Sequence, residues 1–149
     1  YVAHGADEAE KIAFWPDLDA VAVSLYPVLG APDAPTDWDR AIAAELDRVA
    51  AVARKHSKPI WIAEIGLRSA EGATARPWES AEERAAPADM ALQAEVLARW
   101  LRALEARGIQ DVWIWRWFTD PDGGGAGDTD FTVQNKVAQE VIAGFWREG

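Results

Sequence analysis

Glu64 stands near the end of an almost wholly apolar run, Lys58-Pro59-Ile60-Trp61-Ile62-Ala63-Glu64-Ile65-Gly66. Such a run reads as a parallel β-strand buried on both faces. A lone carboxylate at the end of that strand must be solvated at the rim, paired, or put to chemical use. Arg68, four residues on, offers a structural partner. Tyr26 closes the preceding apolar run, Ala20-Val21-Ala22-Val23-Ser24-Leu25-Tyr26, and at the matching strand end its hydroxyl can donate to the carboxylate. A packed tyrosine with a backbone partner is the competing reading. Other polar or aromatic residues at strand ends are His4, Ser24, Trp115, Arg116 and Trp117.

Tryptophan is the compositional anomaly, with 9 in 149 residues. Flat apolar rings suit either core packing or the CH-rich faces of sugars. Composition alone favours the core for most of them. Trp113, Trp115 and Trp117 fall on one face of a single strand, because strand side chains alternate. The one near the strand end is placed to wall a sugar site, and the lower ones are expected in the core.

Several other chemistries are excluded. There is no cysteine, so disulfides, thiolate metal sites and a cysteine nucleophile are out. The two histidines, His4 and His56, are far apart in sequence and make a poor zinc set. A net charge of −10 with no basic run argues against nucleic acid as a partner. No segment approaches the ~20 apolar residues of a membrane span. Gly123–Gly127 lacks the Gly-Lys-Ser/Thr of a phosphate loop, and Asp120-Pro121-Asp122-Gly123 lacks the remaining ligands of a calcium loop. The reading calls for no cofactor and no metal. The acidic run Glu79–Glu83 reads as a solvated face.

The elements that must position these residues alternate between strand and helix. Residues 1–4 read as a strand end, and Asp7 to Trp15 as a short helix stopped by Pro16. After the strand at 20–26 comes a loop over 27–37, then a helix from a Thr36/Asp39 capping start to about His56. Its apolar face carries Ile42, Leu46, Val49 and Ala53. A long loop follows the Glu64 strand. The next helix carries Met90, Ala94, Leu97, Leu101 and Leu104, with Gly108 as its C′ residue. A strand at 111–118, a Gly-rich loop and a last helix burying Val137, Val141, Ile142 and Phe145 complete the chain. Repeated strand–helix units imply an α/β fold with a parallel sheet. Both an open doubly wound sheet and a barrel satisfy that pattern. A full (β/α)8 barrel takes roughly 250 residues, so a barrel reading accounts for about half of one. The whole chain reads as a single domain.

Pro59-Ile60-Trp61-Ile62-Ala63-Glu64-Ile65-Gly66-Leu67-Arg68-Ser69 resembles the seventh strand of clan A glycoside hydrolases. With Arg76-Pro77-Trp78, then Gln93-Ala94, the segment is similar to glycoside hydrolase family 113 in particular. Leu18 to Pro27 resembles that family's sixth strand and Val112 to Trp117 its eighth. Phe131-Thr132-Val133-Gln134-Asn135-Lys136 resembles the approach to its final helix. The resemblance implies the C-terminal half of a (β/α)8 TIM barrel and retaining β-mannanase chemistry. It implies Glu64 as nucleophile, Tyr26 as the residue that orients it, Trp115 or Trp117 along the sugar subsite, and Arg68 and Trp78 as nearby supports.

One departure matters. The family's acid/base glutamate follows an asparagine on the fourth strand, and no Asn-Glu pair occurs here. A retaining glycosidase needs two carboxyl groups about 5–5.5 Å apart. The chain is therefore expected to begin at the fifth strand and to act with an N-terminal half, or to self-associate, on a β-linked oligo- or polysaccharide. The alternative is a non-catalytic carbohydrate-binding or structural half-barrel.

Overall fold

The computed structural model describes residues 1–30 and 37–148. Four strands, β1 (Ala3–His4), β2 (Val21–Leu25), β3 (Ile60–Ile65) and β4 (Val112–Ile114), lie side by side in sequence order. All neighbouring pairs are parallel. Helices α1 (Gly5–Ala9), α2 (Trp38–His56), α3 (Met90–Glu105) and α4 (Val137–Glu148) follow the strands one by one. This is the α/β repeat of a barrel wall, four units long.

The core lies between the outer face of the sheet and α2 and α3. Val21, Val23, Leu25, Ile62 and Ile65 meet Ile42, Leu46, Val49, Val96, Trp100 and Leu104. The apolar stripe expected of α2 is buried as read. A second cluster joins α3 to α4 through Leu97, Leu101, Ala138 and Ile142.

Several local expectations are corrected. The first helix ends at Ala9, and Pro16 sits inside a separate 3-10 turn, Trp15–Asp17. A proline fits a first helical turn, where its missing N–H has no intrahelical acceptor. The Thr36 cap lies outside the described residues; Asp37 caps α2 by accepting from the Arg40 N–H at 3.1 Å. At the end of α3 the C-cap is Ala106, and Gly108 (φ 67°) turns the chain two residues later. Val137 opens α4 on its solvent side and is exposed, while Ile142 of the same helix is buried. Strand β4 is shorter than the 111–118 run. The Trp115 N–H still donates to the Ile65 carbonyl at 2.8 Å, after which the chain leaves the ladder for the loop. Gly66 permits that approach, because a Cβ there would lie 2.2 Å from the Trp115 carbonyl oxygen.

The tryptophans reverse the compositional expectation. Trp15 and Trp100 are buried, whereas Trp61, Trp78, Trp113, Trp115, Trp117 and Trp146 are exposed. Val112 and Ile114 pack on the core, so Trp113 faces the opposite, inner side of the sheet, beside Trp61 at 5.9 Å between rings. Trp113 was expected in the core. The inner face of this half-wall is open, which exposes the rings that line it.

Candidate active site

Strict alternation along β3 would put Glu64 on the same side as Ile62, which is buried against the helices. The strand carries one extra residue at that point. Val23 pairs with Ile62, while Ser24 pairs with Glu64, leaving Ala63 unmatched. The β4 side shows the same offset, with Val112 opposite Ile62 and Ile114 opposite Ile65. A bulge of this kind moves every later side chain to the other face. Glu64 thus joins Ala22, Ser24 and Trp61 on the inner face, and Ile65 returns to the core beside Leu25.

Tyr26 donates its hydroxyl to Glu64 Oε1 in a short hydrogen bond. The ring of Phe131 meets that of Tyr26 edge-on at 6.0 Å. Burial, then the bond to Glu64 and its negative charge, holds the Tyr26 hydroxyl protonated far above the ordinary tyrosine range. A folded-state pKa raised in this way contributes stability that is complete below pH ~10 and is lost as pH rises through the folded value. We therefore expect no ionisation of Tyr26 near pH ~10 in the folded chain. The measurement is the ultraviolet tyrosinate band of the wild type less that of Tyr26→Phe. A Tyr26 signal at pH ~10 without unfolding contradicts this placement.

Glu64 and Tyr26 share a cleft of about 230 Å³ with Trp78, Ser80, Glu82, Trp115, Arg116, Asp130 and Phe131. Trp115, 43% exposed, and Trp78, 60% exposed, present ring surface there. Arg116 is ion-paired with Asp130, and its guanidinium carbon lies 4.8 Å from the Phe118 ring centre. The cleft therefore joins a carboxylate, aromatic surface and an internally balanced charge pair. That combination suits a neutral, hydroxyl-rich ligand with apolar ring faces. Among the described residues, no group of three or more His, Asp or Glu side chains is arranged to hold a metal.

Not every expected residue reaches this cleft. Trp117 is exposed but does not line it. Arg68, 1% exposed, lies beneath the loops. Its guanidinium donates to the carbonyls of Thr129 (2.8 Å), Ser80 (3.0 Å) and Arg84 (3.0 Å) instead of pairing with Glu64. It ties the β3–α3 loop to the β4–α4 loop. Lys136 works beside it, donating to Ser69 Oγ (2.8 Å), Asp128 Oδ1 (2.6 Å) and the Asp130 carbonyl (3.0 Å). Burial lowers the pKa of that ammonium, and Asp128 opposes the shift. Gln93 Nε2 adds bonds to the carbonyls of Leu67 (2.8 Å) and Phe131 (3.1 Å).

Sequence reasoning missed Ser80, Glu82, Asp130 and Phe131 as cleft residues. The run Glu79–Glu83 is only partly a solvated face. Glu79 holds Arg76 and Arg84, and Glu82 reaches the cleft rim. Only the neighbouring Trp78 hinted at this.

The model of Glycoside Hydrolase Family 113 matches residues 1–136. No curated protein sequence matches the chain. Among solved structures, a GH113 β-1,4-mannanase superposes with a TM-score of 0.78 at 22% identity, covering 99% of this chain and 44% of that one. A complex of a GH113 β-1,4-mannanase gives 0.75 at 23%, covering 95% and 43%. The GH113 β-mannanase AaManA from Alicyclobacillus acidocaldarius, in complex with ManMIm, gives 0.67 at 20%, covering 96% and 43%. The chain thus spans less than half the length of these structures, and the shared architecture is that of half a (β/α)8 barrel.

Proposed function

The chain belongs to Glycoside Hydrolase Family 113, and from that premise we propose that it is the nucleophile-bearing half of a retaining β-mannanase. The observation that carries this is Glu64, turned to the inner face by an extra residue and held by the Tyr26 hydroxyl in a tryptophan-walled cleft. In the first step a Glu64 carboxylate oxygen attacks the anomeric carbon. The bond to the leaving sugar's oxygen breaks as a second carboxyl group protonates that oxygen, and a glycosyl ester forms on Glu64. In the second step water attacks the same carbon and gives its proton to the second carboxylate. Glu64 then leaves as the free carboxylate. Tyr26, neutral throughout, holds Glu64 in position. Trp115 and Trp78 supply ring surface to the sugar.

The acid/base carboxyl belongs to strands one to four in this reading. An N-terminal half, or a second copy closing the exposed sheet edges, completes the wall. Exposed strand edges and an open apolar face favour such association. No helix among the described residues is long and apolar enough to cross a membrane.

The test is an activated 2-deoxy-2-fluoro-mannoside given to the chain combined with strands one to four. Mass spectrometry should find the label on Glu64. Labelling of another residue removes Glu64 as nucleophile. Tight oligosaccharide binding with no turnover and no label favours the non-catalytic binding module.

A further inference from the structure

A second cleft, about 390 Å³, adjoins the first and shares Tyr26 and Trp78 with it. It is lined also by His4, Ser24, Asp7 and Glu45. His4 pairs in register with Ser24, and Ser24 with Glu64, so the three residues form one row across the ends of β1, β2 and β3. On the carbohydrate reading, the Glu64 cleft takes one sugar ring. A neighbouring ring of the same chain then falls across Tyr26 and Trp78, in the His4 cleft.

We propose that His4, set by Ser24, receives a hydroxyl of that neighbouring sugar and so makes the site selective for an oligosaccharide over a single sugar. The inference rests on the carbohydrate reading of the Glu64 cleft and extends it. Ser24 is buried, and its Oγ lies 3.4 Å from His4 Nδ1, the one partner found for it among the described residues. When the serine hydroxyl donates to Nδ1, the proton of the neutral ring resides on Nε2. No protein group takes Nε2 among the described residues, and the ring is exposed in the cleft. An N–H there is a donor for a sugar oxygen. The carboxylates are already engaged: Glu45 Oε1 accepts from the Ala6 N–H at 2.7 Å, and Asp7 pairs with Arg48. Two acidic walls disfavour an anionic sugar and leave a neutral one.

The experiment uses the chain combined with strands one to four, with ¹⁵N-labelled histidine and tryptophan in this chain and Glu64→Gln to stop turnover, titrated with mannose and with β-1,4-linked mannotriose. The indole signals of Trp115 and Trp78 report filling of the Glu64 cleft. We expect mannotriose, and not mannose, to shift the His4 ring signals, and His4→Ala to weaken mannotriose binding about tenfold with mannose unaffected. Ser24→Ala should change the tautomer signature of the His4 ring and reproduce part of the loss. If the indoles respond while the His4 ring does not, or if His4→Ala binds mannotriose as the wild type does, the inference is overturned and the Glu64 cleft stands. If the indoles are silent to both sugars, the carbohydrate reading fails and takes this inference with it.

Discussion

In a complete barrel, Glu64→Gln is expected to lower turnover of a β-mannan oligosaccharide by roughly 10⁴-fold or more, with little change in KM. The amide keeps the size of the side chain and can still accept from Tyr26. It lacks the charge and the nucleophilic oxygen pair, so the ester cannot form. On the proposed reading, ground-state binding depends on ring surface at Trp115 and Trp78, which line the cleft and which the change leaves alone. Steady-state kinetics on a defined oligosaccharide make the measurement. A loss within about tenfold would sink the assignment of Glu64. The 149-residue chain by itself is expected to give no turnover, since on the proposed reading the acid/base carboxyl belongs to strands one to four.

Arg68→Met should lower stability by about 3–5 kcal/mol, with the residues that line the Glu64 cleft untouched. The methionine fills much of the volume but returns none of the hydrogen bonds. The carbonyls of Thr129, Ser80 and Arg84 lose a charged donor in a site closed to water. Denaturant unfolding of both proteins reads the difference. A loss under ~1 kcal/mol would mean the two loops hold together without this tie. A folded Arg68→Met protein whose sugar affinity alone collapses would return Arg68 to the substrate.

The backbone plan was legible because its signals are local and periodic. Apolar runs at 20–26 and 58–66, and helical spacing at Ile42, Leu46 and Val49, need no distant information. The Tyr26–Glu64 pair was legible for the same reason: both stand at the ends of adjacent parallel strands. Two things were not. Arg68 was readable only as a charge near another charge. Its true partners are backbone carbonyls 12 to 61 residues away, and carbonyls leave no mark in sequence. The tryptophans were misjudged because burial depends on what lies opposite. Trp61 and Trp113 are apolar residues on an inner wall whose facing half is not part of the chain, so composition counted them as core.

The extra residue in β3 has a further consequence. The direction in which Glu64 points is carried by the number of ladder positions between it and Ile62, and not by the chemistry of any one residue. Exchange of Ala63 for another small side chain leaves that count intact. Loss of the Ala63 codon would leave it intact too, since simple alternation from Ile62 puts the next residue, Glu64, on the inner face and Ile65 on the core. For this segment the deletion of one alanine is a milder event than a change that straightens the strand with all its residues kept, which would turn the carboxylate into the helix-packed core and Ile65 into the cleft.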